Sequence, residues 1–226
     1  MLEGGTGTLI AFEGTDGAGK STATARLRES LEAQGIETLL VTKWVHEIPA
    51  NDGLADHARR LNKLIYGRPR AVSAALGERH WFYALAAWYH LVDDHIIRPA
   101  LKDGITVISD NSHFKTVARY AVGGDLSARF CLEALSGLTP ADHTFFLDIA
   151  PKIALERKGK FSTVEAGRTG NTVEHFLGYQ NAVAEELRAM SYKRGWTRLD
   201  TGRLDREATV QFIVEHLRAR RTLNAR

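Results

Sequence analysis

The 226-residue sequence predicts an α/β fold: a five-stranded parallel sheet with helices on both faces. Two observations lead there. Five strand-like apolar runs are separated by segments with helical spacing, and a glycine-rich loop, Gly14-Thr15-Asp16-Gly17-Ala18-Gly19-Lys20-Ser21, joins the first run to the first helix.

TLIAFEG (8–14) is the first strand, and a helix over 20–34 ends at Gly35, which suits a C-terminal cap. ETLLVTK (37–43) is the second strand. Helical spacing returns over roughly 54–65 and over 72–101, and Gly104 closes the latter before the third strand, ITVISD (105–110). A helix over 115–137 stops ahead of Pro140, and HTFFLDI (143–149) is the fourth strand. After a short helix, 151–157, the polar, glycine-bearing stretch KGKFSTVEAGRTGN (158–171) reads as a mobile excursion within the domain. A helix over 172–194, the strand WTRLDT (196–201) and a helix over 205–221 complete the chain. There is no internal repeat, so residues 1–226 read as one domain.

Composition narrows the function. With 44% apolar and 25% charged residues the chain is neither disordered nor fibrous. Its longest uncharged apolar stretch, WFYALAAWYHLV (81–92), is too short to span a bilayer. The N-terminus lacks a basic region and a cleavage site, so a cytoplasmic protein without a signal peptide is expected. The single cysteine, Cys131, lies in a helical pattern and reads as a buried thiol. The net charge of +3 owes much to LRARRTLNAR at the C-terminus, and no aromatic-interleaved basic stripe accompanies it. Small anionic ligands are therefore expected as partners, and nucleic acid is not.

The loop has the pattern G-x4-G-K-[ST], in which each position has a mechanical reason. Its glycines, Gly14, Gly17 and Gly19, let successive backbone N–H groups turn toward a phosphate, with Asp16 and Ala18 between them. Lys20 reaches the outer phosphates, the Ser21 hydroxyl ligates Mg2+, and Thr22 continues the first turn of the helix. The helix adds its positive dipole end. By residue usage alone, a chance match in a chain of this length is on the order of 1%. No N-K-x-D base-reading signature of a switch GTPase is present. A phosphotransferase with a closing lid at about 158–171 fits better.

FEGTDGAGKST, IIRPALKDGITVISD, LTPADHTFFLDIAPKIALERK and a late LDT occur in that order, and together they resemble the thymidylate kinase family over about residues 8–216. The resemblance implies a three-layer P-loop NTPase fold, ATP with Mg2+, a lid that supplies cations, and a homodimer. Asp110, ending the third strand, is then a metal-orienting carboxylate together with Ser21; an N-cap for the following helix is its alternative. Arg157, with Lys158 and Lys160, matches the basic start of the family's lid, although such a charge run also suits a solvated loop. Arg168 is a weaker match.

The acceptor end departs from the family. Where thymidylate kinases carry three cations for the acceptor's monophosphate, this chain has Lys43, Asn111 and Tyr89. A doubly charged phosphate with one cation left is costly to bury. Trp81, Trp88 and Tyr89 share the helix that by resemblance walls the acceptor site, with Glu47, Asp93 and Asp94 as nearby acids; helically spaced aromatics also suit a core. The expectation is therefore an ATP-dependent kinase acting on an acceptor other than dTMP: a hydroxyl of a sugar, nucleoside or aminoglycoside-like compound. Glu47 is the candidate base, with Asp110 and Asp16 as competitors. The alternatives are a divergent dTMP kinase and a non-catalytic nucleotide-binding protein.

Overall fold

The computed structural model describes residues 7–43, 52–67, 69–110, 112–124, 126–162, 165–167, 170 and 172–220. Five strands, β1 (Leu9–Glu13), β2 (Thr38–Val41), β3 (Thr106–Ser109), β4 (His143–Asp148) and β5 (Thr197–Asp200), form one sheet in the order β2-β3-β1-β4-β5. Every pairing is parallel. With β1 central, the loop that follows it leaves the sheet at its carboxyl edge, where open α/β sheets bind ligands.

Alternation along the strands supplies two cores. Ile10, Phe12, Ile108, Phe145 and Leu147 face α1 (Lys20–Glu32) and the C-terminal helix, Arg206–Ala219, through Leu27, Leu31, Ile213 and Leu217. On the other face Leu9 and Val107 meet Trp88 and Val92, while Phe146 meets Val117, Val183 and Leu187. Both faces being covered explains why the strands read as continuous apolar runs. Among the described residues no helix is long and apolar enough to cross a membrane.

The second face is built from α2 (Asp52–Tyr66), α3 (Arg70–Val92), α4 (Arg98–Lys102), α5 (Phe114–Gly123), α6 (Ala128–Ala134) and α8 (Val173–Arg194), with α7 (Pro151–Lys158) between β4 and α8; the C-terminal helix is α9. Two expectations change. The helix expected over 72–101 is broken at Gly77 (φ 73°, ψ 169°) and again by a π-helical turn, Asp93–Ile97, whose wider ring is closed by the Arg98 N–H on the Asp93 carbonyl. Pro99 cannot donate to the carbonyl four residues back, which accounts for the change of winding. The turn aims the Asp93 carboxylate at the backbone N–H and hydroxyl of Thr139, with Arg98 at 2.8 Å. The helix expected over 115–137 is two, because α5 ends at Gly123–Gly124 and Ser127 caps α6 through the Phe130 N–H. Cys131 is buried, and burial pushes its thiol up to about 11.

Candidate active site

Gly14 follows β1 with φ of 150°, and a Cβ there would lie 2.6 Å from the Leu147 carbonyl oxygen. At Gly17 (φ 85°) a Cβ would lie 3.1 Å from both the Cβ and the carbonyl oxygen of Ala154. The loop is thus pressed between β4 and α7 at two points that only glycine fits. Ala18 is buried, and the Thr201 hydroxyl donates to its carbonyl at 3.2 Å, tying the end of β5 to the loop. Gly19 precedes α1, and Ser21 and Thr22 are exposed on its first turn.

The Lys20 ammonium donates to the carbonyls of Gly14 (2.8 Å) and Thr15 (3.1 Å). Burial, then the nearby Lys115 charge, push its pKa down to about 8 against the pull of Asp16, Asp110 and Glu13. The Ser21 hydroxyl donates to Asp110 Oδ2 at 2.7 Å. Asp110 Oδ1 is buried without a hydrogen-bond partner. An orphaned carboxylate oxygen beside a hydroxyl fits a hard divalent cation held by one acid, one hydroxyl and phosphate oxygens. α5 starts at Phe114 with His113 as its cap, so Asp110 does not fill the capping role.

The loop is contacted from the second face by residues that the motif does not include. Glu13, 1% exposed, accepts the N–H groups of Phe114 and Lys115, both at 3.0 Å, and fastens the end of β1 to the start of α5. Burial raises its pKa despite those bonds. One turn apart on α5, Lys115 and Arg119 approach Asp16: Lys115 Nζ lies 2.5 Å from Asp16 Oδ1, and Arg119 donates to the Tyr179 hydroxyl at 3.3 Å. Burial opposes ionisation of Asp16, but the Lys115, Arg119 and Lys20 charges outweigh it and hold the carboxyl well below the usual range. The buried Gln180 side chain accepts the Asp16 N–H (3.3 Å) and donates to Asp16 Oδ2 (3.3 Å) and to the Glu165 carbonyl (2.7 Å).

Arg157 lies at the end of α7 and donates to the carbonyls of Thr201 (2.7 Å) and Gly202 (3.3 Å). Lys158 pairs with Glu165, and Lys160 is exposed. The cations expected at the start of the lid are therefore dispersed, one onto the segment after β5 and one within its own stretch.

Of the residues expected at the acceptor end, Glu47 and Asn111 lie outside the described residues, as does Arg168. Lys43 is exposed after β2, and its carbonyl accepts from the Asn62 amide at 2.6 Å. Trp81 and Trp88 are each 1% exposed, packed into the interior of α3's inner side. Tyr89 is also buried, its hydroxyl 2.8 Å from Thr116 Oγ1. Trp88 and Tyr89 border a cavity of about 490 Å3 that Ser112, His113, Phe114 and Trp196 also line. Tyr89→Phe should lower unfolding free energy by about 1 kcal/mol in urea titration, the net worth of one buried hydrogen bond. An unchanged midpoint would mean that the bond contributes nothing.

The thymidylate kinase family model matches residues 12–213. Among curated relatives, a thymidylate kinase of Pelodictyon phaeoclathratiforme is 34% identical over 74% of this chain and 72% of its own. One of Clavibacter sepedonicus is 33% identical over 85% of this chain and 90% of its own. One of Chlorobium luteolum is 40% identical over 66% of each chain.

These likenesses overturn the expectation of a sugar, nucleoside or aminoglycoside hydroxyl as acceptor, because the match takes in the phosphate loop, Asp110, the acceptor-side helices and β5 alike. The physical error lay in the charge count. Beyond the three positions aligned with family cations, α5 brings Lys115 and Arg119 to the loop, so the second face is not short of positive charge.

Proposed function

Because the chain belongs to the thymidylate kinase family, and is on that ground an ATP-dependent kinase, we propose that it transfers the terminal phosphoryl group of ATP to dTMP. The reading is carried by one observation. The family match extends over residues 12–213, and within that span Lys20, Ser21 and Asp110 converge on the loop after β1.

In this reading the loop from Gly14 to Ser21 and the N-terminus of α1 hold the donor's phosphates. Lys20, now bonded to loop carbonyls, turns to the transferring oxygens and neutralises the charge spread over them. Ser21 and Asp110 would hold Mg2+, which would draw charge off the donor's phosphates. The acceptor oxygen of a nucleoside monophosphate is already anionic, so no carboxylate is needed as a base. That removes the role considered for Glu47, Asp16 and Asp110 as proton acceptors. Glu13 and Gln180 position the loop from behind, and Arg157 holds the segment after β5 against it.

The one-domain organisation, a lid at about 158–171 and a cytoplasmic homodimer belong to the same proposal. Exposed Leu76 and Tyr83 on α3 supply apolar area for a second copy, and sedimentation equilibrium tests that part.

With ATP, Mg2+ and dTMP the protein should release ADP at roughly 1–100 per second, the ordinary range for kinases. Chelation of the metal should abolish turnover, and thymidine should not replace dTMP. ADP release no faster with dTMP than without it would sink the reading.

A further inference from the structure

We propose that Lys115 is a ligand of the acceptor's phosphate, held ready by Asp16, with Arg119 keeping the Asp16 charge balanced when Lys115 leaves it. The inference rests on the reading of a nucleoside monophosphate acceptor and adds to it the group that grips the phosphate.

The first support is position. α1 reaches the loop from one face of the sheet, and its N-terminus takes the donor's phosphates. α5 reaches the same loop from the opposite face, the face of α3 and α8. Lys115 therefore stands across the loop from the donor, 2.5 Å from the Asp16 carboxylate. The cavity of about 490 Å3 opens on the same face and is lined by Ser112, His113 and Phe114, the residues just before Lys115. Its size suits a small ligand. Its walls near α5 are aromatic, with Arg194 stacked 4.5 Å over Phe114, and burial, with the Arg194 charge second, pushes His113 down to about 4. Aromatic walls suit a nucleoside base, and Lys115 follows directly in sequence on the lining residues Ser112, His113 and Phe114.

Charge is the second support. Lys115 pairs with the Asp16 carboxylate, and Arg119 and Lys20 add their charges to it. Three cations meet three carboxylates here, Asp16, Glu13 and Asp110, so an arriving dianion is held by taking Lys115 from Asp16. Were Lys115 the only partner of Asp16, its departure would strand a part-buried, uncompensated carboxylate. Arg119 and the Gln180 amide remain in place to prevent that. The arrangement lets one lysine exchange a carboxylate for a phosphate at little net cost, and it gives a reason for two cations where a structural ion pair needs one.

The test is isothermal titration of dTMP and of thymidine into the wild type, Lys115→Gln and Lys115→Arg, with thermal melting as a check on folding. Loss of a charge-assisted bond should weaken dTMP by about tenfold or more in Lys115→Gln and leave thymidine within about twofold. Lys115→Arg should restore most of the dTMP affinity. If both ligands weaken together, or if dTMP binding is unchanged, Lys115 is a structural residue and the proposal falls. Should Lys115→Gln not fold, the same ratio is read in Lys115→Met. If the wild type rejects dTMP but binds another nucleoside 5′-monophosphate, and Lys115→Gln weakens that ligand and not its nucleoside, the dTMP reading fails while the phosphate ligand stands. A wild type that binds no nucleoside monophosphate overturns both.

Discussion

Lys20→Ala lowers phosphoryl transfer to dTMP by about a hundred- to a thousandfold, the usual consequence of deleting one preorganised charge-stabilising donor. The fold should survive. Lys20 contributes no apolar packing; its ammonium bonds two loop carbonyls that water can serve in its absence. Burial and the Lys115 charge disfavour its protonated form while Asp16, Asp110 and Glu13 favour it, so these opposing effects partly cancel when the charge is removed. The check is ADP release at saturating dTMP beside a urea titration. A variant that retains the wild-type rate would remove Lys20 from the reaction, and one that unfolds would show that it is a structural residue. If wild type and variant release ADP equally slowly, a non-catalytic nucleotide-binding role regains ground.

Gly14→Ala is expected to damage stability and activity together. The new methyl would sit 2.6 Å from the Leu147 carbonyl oxygen, a contact no real Cβ makes, and the backbone would have to hold φ near 150° with a side chain attached. Neither neighbour can yield easily: Leu147 is fully buried in β4, a strand paired on both sides. Strain and overpacking together should cost about 2–4 kcal/mol. The urea midpoint reads that loss, and the rate measured well below the midpoint reads the displacement of the loop. A variant with wild-type stability and rate would mean that the loop takes a different path.

The sheet was legible in the sequence because its inner strands, β1, β3 and β4, are buried on both faces, which leaves an unbroken apolar run such as LIAF or FFL, whereas the edge strands β2 and β5 are only partly buried. The donor end was legible for a different reason: Gly14 to Ser21 is contiguous, and Asp110 ends a recognisable strand. What escaped was everything assembled across the fold. Glu13, Lys115 and Gln180 meet the loop or α5 through bonds spanning 101, 99 and 164 residues, and nothing in FKTVARY or FLGYQ announces a partner so far away. On an amphipathic helix Lys115 and Arg119 read as solvated charge. Two local signs were present and were outweighed by helical periodicity, namely Pro99 inside IIRPAL and the Gly123–Gly124 pair inside the helix expected over 115–137.

The Gln180 side chain has one further consequence. Its amide bonds Asp16 in the loop and the Glu165 carbonyl in the stretch after α7, so those two parts share a single fastener. Swinging the Glu165 stretch away breaks one hydrogen bond of the three while the loop keeps its own, a latch worth about 1 kcal/mol. Were that stretch the proposed lid, its opening would depend partly on Gln180, a residue outside the G-x4-G-K-[ST] pattern.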